Sequence, residues 1–291
     1  MKLFPRAAFL VFLWITAFTA EAGTNYSFWQ IKGPASNTVS FLGSIHFLKQ
    51  EFYPLSNPVE SAFSNSTVVV FEADIAQMES PQNMLKMMTM AQYGEGEDLE
   101  SSLSRETYAA LQKRLGENIG MATLLDSFKP WFIAVTLVVL ELQKMGFNPA
   151  DGVDRYYFQK AQEAGKTVEA LETLDFQMGL FNGLNKPEQE AFLKATLLEI
   201  DSAKKEFNQM ISAWKTGNAQ MLEQKLLASM RTQPQIYKKF LSNRNLDWVP
   251  KVESYIKSGK NVFIVVGVAH LVGKDSVQES LRKKGYKIQQ L

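Results

Sequence analysis

The chain holds two histidines, His46 in "FLGSIHFLKQ" and His270 in "VVGVAHLVGK". Each stands three residues after a glycine that closes an apolar run, Gly43 and Gly267 respectively. Glycine accounts for 17 of 291 residues, so chance places both histidines in this setting in roughly 1 chain in 300. A glycine at the end of a buried strand permits a tight exit and close backbone approach, and a side chain three residues on can point over the end of the sheet. Two such loops on neighbouring strands would bring the imidazoles together although 224 positions separate them.

Neutral imidazole is the commonest protein ligand for metals, and a pair of them needs a carboxylate to complete a site with an open position for water. Glu72 directly follows the apolar run "VVVF", with Asp74 two residues on. A His/His/Glu set around a divalent ion is a hydrolytic centre, because the ion lowers the pKa of its water and polarises a carbonyl. A hydrogen-bonded core histidine is the competing reading of each ring taken alone. The shared setting favours the site.

Other chemistries are excluded by inspection. The chain has no HExxH, GxSxG or GxGxxG motif. "GVAHLVGKDS" resembles a phosphate-binding loop, but it has five residues rather than four between Gly267 and Gly273, and Asp275 stands where Ser or Thr is needed. The absence of cysteine rules out disulfides, thiolate metal cages, a cysteine nucleophile and a lipid-attachment box.

The elements that must position these residues follow from the patterning. Lys2 and Arg6 precede the apolar stretch Ala7 to Phe18, and "AEA" ends at Ala22, so residues 1–22 read as a secretory signal cleaved after Ala22. The mature chain then carries 29 basic and 29 acidic residues. Its neutrality offers nothing to attract nucleic acid or anionic lipid. "WFIAVTLVVL" (Trp131 to Leu140) is too short for a bilayer span and reads as a buried helix, so no stable span is expected once the signal is removed.

"YSFWQI" and "TVSFLG" form a hairpin across "KGPASN", and "STVVVFEAD" gives a third strand. From residue 81 to 247 the periodicity is helical, with a β-like piece at "KTVEAL" and a capping signal at Asn185 and Glu188. The C-terminus returns to helix, strand "NVFIVVG", helix, strand "YKIQQL", an order that argues for parallel pairing. The expected organisation is one domain over 23–291, with an α/β core from 23–80 and 248–291 around a helical middle.

"FLGSIHFLKQ", "VVFEAD", "GVDRYYFQKAQEAGKTVEALET" and "NRNLDWVPKVESYIKSGKNVFIVVGVAHLVGKDSVQESLRKKGY" together resemble the TraB/GumN family, whose relatives include the Tiki proteases and the pheromone-shutdown protein PrgY. The resemblance implies an α/β fold with a central mixed sheet of the ChaN/erythromycin-esterase kind and a large helical insertion. It also implies a metal-dependent protease as in Tiki-like members, with manganese or cobalt as the ion and zinc as a further candidate. On this pattern His46, His270 and Glu72 are the metal set, and Arg244 and Asn245 are the polar pair of the "RN" motif. The family often has an acid before that arginine, where this chain has Asn243.

The expected function is therefore an exported, periplasmic or secreted hydrolase acting on a peptide or protein. His46 and His270 ligate the ion, Glu72 ligates it or serves as base, and Arg244 and Asn245 orient substrate or oxyanion. A metal-free esterase-type hydrolase and a non-catalytic peptide or signal binder are the alternatives. Arg155 in "GVDR" and Glu172 in "LET" are further candidates, each weighed against a structural ion pair. Met84, Met87 and Met88, at the spacing of one helical face, read as ordinary packing, with an adaptable peptide-binding surface as the alternative.

Overall fold

The computed structural model of the protein describes residues 26–116 and 124–291. The expected secretory signal lies outside the described residues. β1 (Phe28–Lys32), β2 (Thr38–Ser44), β3 (Val68–Phe71), β4 (Thr167–Ala170), β5 (Val262–Gly267) and β6 (Ile288–Gln290) make one six-stranded sheet in the order β4-β3-β5-β2-β1-β6. β4, β3, β5 and β2 are mutually parallel, whereas β1 pairs antiparallel with both β2 and β6.

The four parallel strands consequently end on one edge of the sheet. There, in spatial order, lie Ala170, Phe71, Gly267 and Ser44. In parallel sheets the loops at the carboxyl ends carry ligands. β5 reads "VFIVVG" without alternation because it is buried on both faces, from Val262 to Val266 at 1% exposure or less. Phe63 of α1 (Asn57–Asn65) and Tyr157 of α5 (Val153–Glu163) pack on its Phe263 at ring separations of 5.7 and 5.1 Å.

The hairpin, the third strand and the strand character of residues 167–170 match the sequence reading. β6 differs, since it leaves β5 and closes the opposite edge against β1. The three-residue strand with exposed glutamines suits an edge position.

The middle of the chain contributes α2 (Pro81–Ala91), α3 (Arg105–Leu115), α4 (Pro130–Lys144), α5, α6 (Leu174–Asn182), α7 (Lys186–Glu199), α8 (Ala203–Lys215) and α9 (Ala219–Arg231). α7 starts with the expected capping box of Asn185 and Glu188. α4 is the buried apolar helix, and no helix among the described residues is long and apolar enough to cross a membrane.

This region does not form a single roof. α5, α8 and α9 join the core of the sheet through residues such as Tyr157, Trp214 and Leu227. α4 and α7 gather a second apolar cluster around Trp131, Ile133 and Leu193. α2 overturns the packing expectation for the methionines, because Met84, Met87 and Met88 are 54%, 40% and 38% exposed and only Ala91 of the helix is buried. The helix lies against α6 and leaves these methionines substantially exposed.

After a π-helical stretch, Lys238–Ser242, come α10 (Asn243–Lys257) and finally α11 (Val277–Lys283).

Candidate functional site

The two glycines are needed for the reasons their positions suggest. A Cβ at Gly43 would lie 2.8 Å from Val268 Cγ2 and 3.2 Å from Ser27 Cβ. One at Gly267 would lie 3.0 Å from Glu72 Oε1, because that carboxylate accepts the Gly267 N–H at 2.7 Å. The second glycine thus lets the Glu72 side chain rest on the backbone of β5.

His46 follows β2 and leans on the "GVD" turn. Val153 N donates to the Ile45 carbonyl at 3.0 Å, and Gly152 lies so close to His46 that a Cβ would stand 2.4 Å from its carbonyl oxygen. This contact delivers Asp154, whose Oδ2 accepts from His46 Nδ1 at 2.8 Å. His46 Nε2 has no hydrogen-bond partner among the described residues, and the side chain is 65% exposed. The Asp154 carboxylate raises the His46 pKa to about 9, against an opposing effect of desolvation and with a smaller contribution from Glu72. Water screens part of that attraction.

His270 is the opposite case, 4% exposed and packed on the Trp248 ring at 4.3 Å. Asn245 Nδ2 donates to the Asp275 carbonyl at 2.8 Å, which turns Asn245 Oδ1 toward His270 Nδ1 at 2.5 Å. The proton therefore sits on Nδ1. On the other side, Arg244 Nη1 donates to His270 Nε2 at 3.1 Å. Burial lowers the His270 pKa to about 3; Glu72 pulls the other way, while Arg244 and His46 reinforce the lowering. His270 is thus a neutral ring with a fixed tautomer.

Glu72, directly after β3, is 12% exposed at its side chain. Its Oε2 accepts from Arg244 Nη2 at 2.6 Å and Gln177 Nε2 at 3.1 Å, and its Oε1 lies 3.8 Å from His270 Nε2. Burial works to raise its pKa, but His270, Arg244, His46 and the Gly267 N–H together bring it down to about 2. Because His270 is itself neutral near pH 7, Arg244, the protonated His46 and the Gly267 N–H keep Glu72 ionised there.

Arg244 is 7% exposed and spans two carboxylates. Besides Glu72 it meets Glu172, whose two oxygens each accept from its Nε at 3.1 Å. Glu172 follows β4 and also accepts from Trp248 Nε1 at 3.0 Å. The acid missing at Asn243 is thus replaced by one 72 residues before Arg244. α10 supplies Arg244, Asn245 and Trp248 on one stretch, and Arg244 Nη1 also donates to the Phe240 carbonyl in the π-helical stretch, at 3.0 Å. Such stretches recur at functional sites.

His46, Glu72, Glu172, Arg244, Asn245 and His270 are therefore brought together, with Gly43 and Gly267 in the loops that hold them. Asp74 is elsewhere, capping the turn Ile75–Met78 through Gln77. Arg155 pairs with Glu79 at 3.1 Å on the surface. Asp154, Gln177 and Trp248 were not singled out by the sequence reading. The signal for Asp154 was the "GVD" turn itself, in which attention fell on the arginine one residue later.

The donor types suit a divalent ion. Both rings have Nδ1 engaged by an oxygen acceptor, the arrangement that leaves Nε2 for a metal, and Glu72 is ionised. Their spacing is another matter: among the described residues no three His, Asp or Glu side chains converge as a metal site. Arg244 occupies the lone pair of His270 Nε2.

The sequence model of the TraB/PrgY/gumN family matches residues 27–290. The uncharacterized protein YbaP of Escherichia coli (strain K12) is 27% identical over 272 residues, covering 92% of this chain and 97% of YbaP. Metalloprotease TIKI2 of Danio rerio is 21% identical, covering 93% of this chain and 62% of that protein. Metalloprotease TIKI1 of Homo sapiens is 20% identical, with 92% and 62% covered. No solved structure matches at comparable significance.

Proposed function

The chain belongs to the TraB/PrgY/gumN family, and we propose that it is an exported hydrolase that cleaves peptide bonds with water at the His46, Glu72 and His270 cluster, using a divalent ion. We take its sheet to be a core of the ChaN/erythromycin-esterase kind, supported by four parallel strands whose carboxyl ends carry the cluster. The single observation that carries the reading is the matched anchoring of the two rings, which differ in burial and charge. Each has Nδ1 tied to an oxygen, Asp154 or Asn245, beside an ionised Glu72.

His46 Nε2, His270 Nε2 and Glu72 would hold the ion, which supplies Lewis acidity toward the substrate carbonyl and an acidified water. Asp154 and Asn245 fix ring orientation and tautomer. Arg244 must give up its bond to His270 for that ring to coordinate. Held by Glu172, its guanidinium would be a buried donor for a developing oxyanion. Distant relatives named metalloproteases support this chemistry.

The test is elemental analysis of purified mature protein, wild type against His46→Ala and His270→Ala, after reconstitution with manganese, cobalt or zinc. One ion per chain, lost in both variants, is expected. Negligible metal in all three overturns the metal reading.

A second reading is favoured by one observation, the pair of Asp154 with an exposed His46 whose Nε2 is unengaged. In a metal-free hydrolase that ring would take a proton from the attacking water as general base and hand it to the leaving group. Hydrolysis would then survive chelation.

A further inference from the structure

One recess shares a residue with the site. It has a volume of about 220 Å³ and lies between α2 and α6 over the start of α4. Leu174, Gln177, Met178 and Phe181 of α6, at i, i+3, i+4 and i+7, form one wall, and Met84 and Met87 of α2 belong to the facing one. The lining is almost wholly apolar. Gln177 is the exception that matters, because the same side chain donates to Glu72 Oε2 at 3.1 Å.

The recess is therefore one side chain, Gln177, away from the carboxylate of Glu72. Its volume falls below the range of about 300–1,000 Å³ usual for whole small-molecule ligands. Flexible, polarizable methionines fit apolar side chains of differing shape. A larger recess of about 380 Å³ between α3 and α7 is different in kind. Its charges pair with one another, Lys194 with Glu106 and Arg114 with Asp201, and it shares no residue with the site.

We propose that the methionine-lined recess is a specificity subsite that receives one bulky apolar side chain of a peptide, adjacent to the bond presented to Glu72 and the histidines. The assignment rests on the hydrolase reading above for the chemistry, and on the Gln177 bridge for its placement. The substrate class is accordingly a peptide with Leu, Met or Phe beside the scissile bond.

The experiment uses matched blocked peptides that differ only at that position, Leu, Met, Phe, Gly or Glu. Binding is measured by calorimetry and turnover by chromatography, on the mature chain and on Met84→Glu/Met87→Glu. Both methionines are substantially exposed, so the charges are placed without breaking the fold. The conservative Met87→Leu serves as control.

Wild type and the control are expected to favour the apolar peptides by about 10-fold or more, and the double variant to bring the series near parity through KM. Turnover indifferent to the side chain, or a preference that survives in the double variant, overturns the subsite while leaving the hydrolase. Apolar-selective binding lost in the double variant, without turnover of any peptide, keeps the subsite and removes the hydrolase. Self-association abolished by the double variant, with no peptide binding, assigns the recess to a second copy and overturns the proposal.

Discussion

Arg244 Nη1 donates to His270 Nε2 across 3.1 Å, so a buried guanidinium holds the lone pair that a metal-binding imidazole has to offer. The same guanidinium pairs with both Glu72 and Glu172, one positive charge shared between two carboxyl groups. Arg244 therefore supplies, within the chain, the positive charge that the carboxylates require.

Removing that charge should be costly and should be repaired by a cation. Arg244→Gln leaves two buried carboxylates without their partner, an effect of about 3–5 kcal/mol. Thermal denaturation should show a large fall in Tm. Added manganese should then raise the variant's Tm by more than it raises the wild type's, since a tighter-binding ligand stabilises more at a given concentration. An equal response in both proteins would place the ion elsewhere.

The two histidines should titrate far apart, and with only two in the chain their ring resonances are easily followed. In metal-free protein His46 should titrate near 9 and His270 should stay neutral until strongly acid pH. Asp154→Asn should return His46 toward the ordinary value of about 6.5. The sign of the stability effect follows. His46 has a raised folded pKa, so its pairing stabilises fully below about 6.5 and the benefit is lost as pH rises through about 9. Wild type should lose Tm across that alkaline window more than Asp154→Asn does. A His46 midpoint that does not move in the variant would contradict the pairing.

The two loop glycines should fail differently. Gly43→Ala drives a methyl into Val268 and Ser27, an overpacking of the core that costs about 1–3 kcal/mol. Gly267→Ala meets the Glu72 carboxylate instead, at 3.0 Å. It should lower activity more than stability by displacing Glu72 from the Gly267 N–H. Denaturant titration alongside turnover separates the two.

Much of the site was legible because strand ends announce themselves. Gly43, Gly267 and Glu72 each close an apolar run, and parallel pairing brings such ends to one edge. The partners of these residues were not legible in the same way. Asp154 reaches His46 only because Gly152 permits backbone contact across 106 positions, and no periodicity encodes that approach. Glu172 was named, yet its bond to Arg244 depends on β4 joining the sheet from within the helical middle. The methionines of α2 were misread for a simpler reason. Helical spacing identifies a face, and whether a neighbour covers it is decided by tertiary packing.

The most direct test of the account is hydrolysis of a blocked peptide by manganese-loaded mature protein, compared with His46→Ala, Glu72→Gln, His270→Ala and Asp154→Asn. Wild-type turnover should fall by about 10²–10⁴-fold when His46, Glu72 or His270 is removed, and by about 10–100-fold in Asp154→Asn. Circular dichroism should report an intact fold throughout. Turnover that persists unchanged in the His46→Ala and Glu72→Gln proteins would contradict the account.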